Sequence, residues 1–147
     1  MSPSDPIDAI QDGIVAEFQS LKDWDERYRH IIAMGKALPP IQEAYRDEAH
    51  QVKGCQSTVW MHAEQDAEGN VVYHADSDAM IVRGLVALLL RVYSGHSPQA
   101  ILKAEPTFLE RIEMGKHLSM QRSNGLAAML KQMKLYAMAL QLRASQA

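Results

Sequence analysis

Residues 58–64, TVWMHAE, and residues 71–74, VVYH, decide the fold that this sequence predicts. In the first stretch Val59, Met61 and Ala63 alternate with polar or aromatic neighbours, and a period of two is typical of a half-buried strand. Residues 68–70, Glu-Gly-Asn, supply turn chemistry between the two stretches. The sequence therefore predicts an antiparallel β-hairpin. A short strand at residues 51–53 would precede it and place Gly54 and Cys55 on the connection.

Apolar residues spaced three and four apart predict two helices before the hairpin. The first covers residues 7–21, with Asp5 as its N-cap and Pro6 at its first position. The second starts at Trp24 and ends before Leu38, because the two prolines that follow cannot continue a helix.

The same spacing predicts four helices after the hairpin. The most apolar one covers residues 81–92, and the preceding segment Asp76-Ser77-Asp78 is predicted to cap it. Three further helices are predicted. One starts at Ser97-Pro98, and the next starts at Pro106 and ends near Gly115. The last has an apolar face over residues 126–140, with Ser119 as its N-cap.

The order of elements is helices, hairpin, helices, without the strand-helix alternation that produces a parallel sheet. The predicted fold class is α+β, with a small antiparallel β-sheet of about three strands packed against several α-helices. No repeat or linker divides the 147 residues, so we expect a single domain over residues 1–147.

Composition excludes several classes of protein. Apolar residues make up 47% of the chain and charged residues 22%, so collagen-like and disordered chains are excluded. The longest apolar run, residues 85–90, is far shorter than the roughly 20 residues of a membrane-spanning helix. The first residues lack the features of a secretory signal, so we expect a cytoplasmic protein in a reducing compartment.

Charge is unevenly distributed along the chain. The net charge of −3 argues against nucleic-acid binding. Residues 1–97 contain 8 basic and 15 acidic residues, whereas residues 98–147 contain 7 basic and 3 acidic ones. This asymmetry can orient a protein partner at encounter, and a solvated surface without a partner explains it equally well.

Cys55 is the single cysteine, which forbids an internal disulfide and any multi-thiolate metal site within this chain. Gly54 beside it allows a tight turn that leaves the sulfur open to an approaching group. An ordinary thiol with a pKa of about 8.5 needs a nearby positive charge or helix N-terminus to act as a nucleophile. A buried structural cysteine is the alternative.

The segment Arg122-Ser123-Asn124-Gly125 is the second candidate, because it falls in the first turn of the last predicted helix. The helix dipole disfavours a cation there, which indicates another use for Arg122. It can lower the pKa of Cys55 or stabilise a sulfur anion, while Gly125 permits close approach of another backbone. A surface arginine paired with an acid is the alternative.

The six histidines show no metal-ligand spacing, so no metal site is expected. His62 and His74 are predicted to face each other across the hairpin. A cysteine-histidine hydrolase would need one histidine beside Cys55, which the sequence alone does not place.

Taken together, these segments resemble the sulfur-acceptor family of SufE and CsdE from about Trp24 to the last helix. The resemblance rests on Gly54-Cys55-Gln56-Ser57-Thr58-Val59-Trp60, Asp76-Ser77-Asp78-Ala79, Ile81-Val82-Arg83-Gly84-Leu85, Leu118-Ser119 and Arg122-Ser123-Asn124-Gly125-Leu126. Ala75 and Met120 depart from the family pattern, at a turn and at a helix start.

The resemblance implies a fold similar to the iron-sulfur scaffold IscU and a role in sulfur relay. A cysteine desulfurase of the SufS or CsdA type, which holds the pyridoxal phosphate, would pass persulfide sulfur to Cys55. Cys55 would deliver it to a scaffold such as SufBCD. No cofactor is expected on this chain apart from a transient persulfide, and the chain would act as a desulfurase activator, as a monomer or weak homodimer.

Further roles are assigned to the residues around Cys55. Arg122 is expected to stabilise the transferred sulfur, and Trp60 is expected in the core, with an interface position as the alternative. The other loop and partner-binding candidates are Gly54, Gln56, Ser57, Asp76, Asp78 and Asn124, of which the two aspartates are expected to be helix caps. Two alternatives stay open: a hydrolase or peroxidase that uses Cys55 without a partner, and an adaptor that does not need Cys55.

Overall fold

The structure is a computed structural model that describes residues 6–146, with side chains over residues 6–144. Asp5, the predicted first N-cap, lies outside this range. The elements in chain order are α1 (Pro6–Gln19), α2 (Trp24–Ala37), β1 (Val59–Gln65), β2 (Val71–Ser77), α3 (Met80–Tyr93), α4 (Pro98–Lys103), α5 (Thr107–Arg111) and α6 (Met120–Gln146). Three short 3₁₀ turns lie at Glu43–Tyr45, Glu48–His50 and Met114–Lys116.

The predicted hairpin and the α+β class are confirmed. Strands β1 and β2 pair antiparallel, with Val59 opposite Ser77 and Gln65 opposite Val71. Val59, Met61 and Ala63 are buried, as the alternation predicted.

The predicted third strand is wrong, since the sheet within residues 6–146 has two strands. Gln51 forms only an isolated bridge with Trp60, supported by a 2.8 Å hydrogen bond from the Val52 N–H to the Val59 carbonyl. The chain then turns away at Gly54, whose φ of 94° lies in the left-handed region. Pairing along the edge of β1 therefore stops after one residue.

Helix α3 lies between α2 and the hairpin and contributes more buried aliphatic side chains to the core than any other element of the described residues. Helix α6 packs on the hairpin as well, and two tyrosines fix it there. The Tyr73 hydroxyl donates to the Met133 carbonyl at 2.6 Å, and the Tyr136 hydroxyl donates to the Met61 carbonyl at 2.9 Å. These bonds fix the middle of α6 on the hairpin, and an earlier turn of the helix, at Ala128, lies against the connection that precedes β1.

Two glycines allow α2 and α3 to cross at close range. A Cβ atom on Gly84 would lie 2.1 Å from the Ile31 carbonyl oxygen, and one on Gly35 would lie 2.8 Å from the Gly84 nitrogen. Both distances are shorter than real contacts allow, so this crossing requires glycine at both positions.

The predicted caps Ser97 and Ser119 are confirmed, since each side chain accepts a hydrogen bond from the backbone N–H three residues later. Asp23 caps α2 in the same way, which the sequence pattern did not predict. The predicted helix from Pro106 to near Gly115 is shorter, because Glu113 adopts a left-handed φ of 59° and separates α5 from a 3₁₀ turn.

The predicted cap of α3 is wrong. Ala79 occupies the N-cap position, and Asp76 and Ser77 are the last residues of β2. Asp76 is 2% exposed and lies against two guanidinium groups, 2.5 Å from Arg46 and 2.8 Å from Arg83. A buried carboxylate without a partner costs more free energy than a helix end without a cap, so the Asp76 side chain pairs with the guanidinium groups and does not cap α3.

Candidate functional site

Cys55 lies on the cysteine loop, residues 53–58, which connects the isolated bridge to β1. Gly54 fits this loop for two reasons. Its φ of 94° favours glycine, and a Cβ atom there would lie 3.2 Å from the Cβ of Ala128 in α6. The loop therefore rests directly on the helix.

The Cys55 sulfur lies against the backbone of α6. Its Sγ is 3.5 Å from the Gly125 carbonyl oxygen, to which the thiol donates a hydrogen bond. A Cβ atom on Gly125 would lie 3.6 Å from this sulfur. The predicted close approach at Gly125 is confirmed, and this single weak hydrogen bond joins the half-buried thiol to the helix.

A pocket of about 330 Å³ opens beside the thiol. Its lining contains four of the residues predicted for the site, which are Cys55, Gln56, Ser57 and Arg122. Ser119, Gln121 and Gly125 come from the start of α6, and Val82, Leu85 and Met129 form an apolar side. The pocket is thus polar where it meets the helix start and apolar towards the core.

Sequence reasoning missed Val82, Leu85 and Met129 as pocket residues. All three are buried and lie on the apolar faces of their helices. Nothing in a helical apolar pattern distinguishes a side chain that lines a pocket from one that fills the core.

Burial raises the pKa of the Cys55 thiol, and it is the cause of the shift. The expected lowering of this pKa by Arg122 is not seen in this conformation, in which Arg122 is exposed. In this conformation burial therefore favours the protonated thiol over the nucleophilic thiolate.

The β2–α3 junction holds the end of the cysteine loop. The Thr58 N–H donates to Asp78 Oδ1 at 3.1 Å, and the Ser77 hydroxyl donates to the Thr58 carbonyl at 2.8 Å. Asp78 is thus a loop anchor and not the predicted helix cap. Asp76 lies one residue before this junction and also accepts a 3.2 Å hydrogen bond from the Ile41 N–H.

Trp60 is not in the core, which corrects the preferred prediction. It is half-buried on the outer face of the hairpin, where the Arg46 guanidinium lies 4.9 Å from its ring centroid. The alternation that placed Val59 and Met61 inside already placed Trp60 outside. Asn124 is exposed on α6 and does not line the pocket.

None of the six histidines, all of which lie in residues 6–146, lines the pocket beside Cys55, and the thiol donates its hydrogen bond to a backbone carbonyl. His62 and His74 are paired across the hairpin as predicted, with ring centroids 6.3 Å apart, and Tyr45 stacks on His62 at 3.9 Å. Within the described residues, no group of three or more His, Cys, Asp or Glu side chains is arranged to hold a metal ion. No helix in that part of the chain could span a membrane.

A hairpin covered by helices, with one thiol held over a pocket at the start of α6, defines a small α+β thiol protein. The model of the SufE family, described as an Fe-S metabolism associated domain, matches residues 12–137. The chain belongs to the SufE family, and it is a SufE-like protein of Fe-S metabolism.

Similar proteins agree with this assignment. An uncharacterized SufE-like protein of Rhizobium etli is 43% identical over 131 residues, which cover 86% of this chain and 88% of the relative. A second from Rhizobium meliloti is 40% identical over 127 residues, covering 84% of this chain and 91% of the relative. The solution structure of a hypothetical protein from Thermus thermophilus has the same fold, with a TM-score of 0.76, 22% identity and coverage of 90% and 96% of the two chains.

Proposed function

We propose that the chain is a sulfur carrier of the cytoplasm, which accepts persulfide sulfur on Cys55 from a cysteine desulfurase of the SufS or CsdA type. It then delivers this sulfur to an iron-sulfur scaffold of the SufBCD type. The observation that carries the proposal is the half-buried Cys55 thiol, held beside a pocket by one weak hydrogen bond to Gly125. Membership of the SufE family supports it.

The proposed step is a transpersulfidation. The Cys55 thiolate attacks the outer sulfur of the donor persulfide, a new sulfur–sulfur bond forms on Cys55, and the old bond breaks. The donor cysteine leaves as a thiolate, so no external oxidant or reductant is consumed. Pyridoxal phosphate belongs to the desulfurase, which generates the donor persulfide.

The resting geometry protects the sulfur and also restrains it. Because burial raises the pKa of Cys55, the loop has to leave α6 before the thiolate forms readily. The hydrogen bonds at Thr58 hold the base of the loop while its tip moves. On return, the terminal sulfur of the persulfide fits the pocket, where Arg122 is proposed to stabilise its charge.

A partner is required in this proposal, which distinguishes it from a hydrolase or peroxidase. Such enzymes need a base or acid at the thiol, whereas the Cys55 sulfur donates to a carbonyl that cannot accept a proton for catalysis. The isolated chain is therefore proposed to activate a desulfurase and not to turn over a substrate alone.

Intact-mass measurement tests the proposal. The reduced chain is incubated with a cysteine desulfurase, pyridoxal phosphate and cysteine, beside a Cys55→Ser control whose thermal melt verifies folding. We expect a gain of one sulfur atom on the wild type alone, reversed by dithiothreitol, and stimulation of the desulfurase by the wild type alone. Stimulation by Cys55→Ser would support an adaptor instead, and the absence of any gain would overturn the carrier role.

A further inference from the structure

Helix α6 is apolar on two faces, and only one of them is covered. Its inner face packs into the core through Leu126, Met129, Met133, Ala137 and Leu140. On the other face Leu135, Met138 and Leu142 are 47%, 48% and 57% exposed. Their spacing of three and four residues aligns them along the helix. We call these three residues the outer stripe.

The outer stripe is unusual for this molecule. Within residues 6–144, five large apolar side chains are exposed, and three of them form the stripe. The other two, Met80 and Met120, lie at the starts of α3 and α6. Single exposed apolar residues are normal, but an aligned group on one helix marks an interaction site. A helix that is apolar on both faces is usually covered on both.

Positive charge borders the outer stripe at both ends. Helix α6 contains four basic residues and no acidic residue over its 27 positions. Lys131 is exposed one turn before Leu135, and Arg143 is exposed directly after Leu142, where it also lines a cleft with Glu64 of β1. The complementary surface is therefore apolar with carboxylates beside it.

The outer stripe lies away from the thiol. Cys55 contacts α6 at Gly125, and Met138 is thirteen residues further along the helix, a distance of about 20 Å at 1.5 Å per residue. Beside the stripe, Leu142 lines a groove of about 500 Å³ together with Pro98 and Gly69. A ligand on the stripe therefore leaves the cysteine loop accessible.

We infer that the outer stripe docks an amphipathic helix of another protein, one with acidic residues beside its apolar face, while Cys55 stays free for sulfur exchange. This helix-on-helix mode uses side chains at three- and four-residue spacing, as the stripe provides. The chain thus binds two partners at once, one at the cysteine loop and one on distal α6.

Two other occupants fit the stripe less well. A second copy of α6 would bring basic side chains together with no acidic residue on either helix. A lipid surface is bound by a helix with a wide apolar face, whereas the stripe is one row of three side chains. An amphipathic protein helix with acidic residues matches both features, because its apolar face covers the narrow row and its carboxylates pair with the flanking basic side chains.

A pair of synthetic peptides tests the inference on the full chain. Both are amphipathic helices of about 18 residues, or five turns, with the same leucine row. Glutamates flank the row in one peptide and lysines in the other. By fluorescence anisotropy we expect the glutamate peptide to bind at least about tenfold more tightly than the lysine peptide. Equal binding of the two peptides would overturn the inference.

Variants locate the binding site. Leu135→Gln combined with Leu142→Gln should lower the affinity for the glutamate peptide at least about tenfold, whereas Met80→Gln should leave this affinity unchanged. Lys131→Glu combined with Arg143→Glu should reverse the preference between the peptides. All these side chains are exposed, and thermal melts verify that the variants fold. An unchanged affinity in the leucine variant would overturn the inference.

Further measurements exclude the other occupants and separate this inference from the carrier role. A concentration-dependent dimer that the leucine variant abolishes, or sedimentation with phosphatidylglycerol vesicles, would assign the stripe to self-association or lipid. Cys55→Ser should bind the peptide like the wild type. Saturating peptide should leave the sulfur gain on Cys55 unchanged, and a block of that gain would overturn simultaneous binding.

Discussion

Two glycines determine where the Cys55 sulfur lies. Gly54 supplies the left-handed turn that brings the loop down onto Ala128, and the Gly125 carbonyl accepts the hydrogen bond of the thiol on the backbone of α6. The half-buried state of the thiol and its raised pKa are consequences of this arrangement. Gly54 therefore acts through the path of the loop, whereas Gly125 contacts the thiol itself.

Gly54→Ala is expected to destabilise the chain. Alanine at a left-handed φ costs roughly 1–2 kcal/mol, and its Cβ would also press on Ala128. Urea denaturation measures the loss. Gly13→Ala is the matched control, because Gly13 is exposed within α1 with nothing within 4 Å of its added Cβ, and this change should add roughly 0.5–1 kcal/mol. Equal effects would contradict the role given to the turn.

The pH dependence of Cys55 alkylation should reflect burial. Since burial raises the pKa of the folded thiol, the alkylation rate is expected to reach its half-maximum at higher pH in the native chain than in urea. Iodoacetamide labelling followed by intact mass gives both profiles. If the native midpoint lay below the unfolded one, a positive group such as Arg122 would control the thiol instead.

At the scale of elements, the α2–α3 crossing is the tightest contact between helices. Gly84→Ala would place a methyl group 2.1 Å from a backbone oxygen of α2, which cannot move without separating the helices. We expect a loss of about 3 kcal/mol or more, at the upper end of overpacking effects. Thermal and urea unfolding measure it. Gly115→Ala, with open space around its added Cβ, should change stability by less than about 0.5 kcal/mol.

Elements with a clear period were predictable from the sequence, and their irregular ends were not. The alternation around Met61 and the helical spacing of α1, α2, α3 and α6 reflect burial, which acts on every residue of an element. The predicted cap of α3 is wrong because the Asp76 side chain pairs with Arg46, thirty residues earlier in the chain, and with Arg83, and a pattern of residues around Asp76 does not show these ion pairs. The predicted third strand is wrong because the turn at Gly54 ends the pairing of residues 51–53 with β1.

For the whole molecule, alkaline pH is expected to be destabilising because of two buried tyrosines. Burial raises the pKa of Tyr73 and of Tyr93 above the ordinary value of about 10. The native state thus keeps these protons after the unfolded state has lost them. The corresponding stability is complete below pH of about 10 and is lost as the pH rises through the higher folded values.

Tyr73→Phe tests this linkage. Loss of the hydrogen bond to the Met133 carbonyl should cost roughly 0.5–1.5 kcal/mol at neutral pH. The urea midpoint of the variant should nevertheless fall less between pH 9 and pH 11 than that of the wild type. Tyr45→Phe, on the outer face of the hairpin, serves as the control for removal of a hydroxyl. An identical decline in Tyr73→Phe and the wild type would contradict the linkage.

The candidate site was predictable in part. The sequence placed Cys55 and Arg122 together because a single cysteine and a misplaced cation stand out against their surroundings. It could not place the apolar side of the pocket, since Val82 and Met129 have the same spacing as core residues. It also left the state of the thiol open, because burial depends on how the loop meets α6 and not on neighbours in the chain.

The single cysteine fixes the stoichiometry of the proposed carrier. One thiol holds one transferable sulfur atom, so each docking event delivers one equivalent and the empty molecule must then leave. An acceptor that incorporates several sulfur atoms must exchange as many carrier molecules. Throughput then scales with the copy number of the carrier, and it cannot exceed the rate at which spent carrier molecules dissociate.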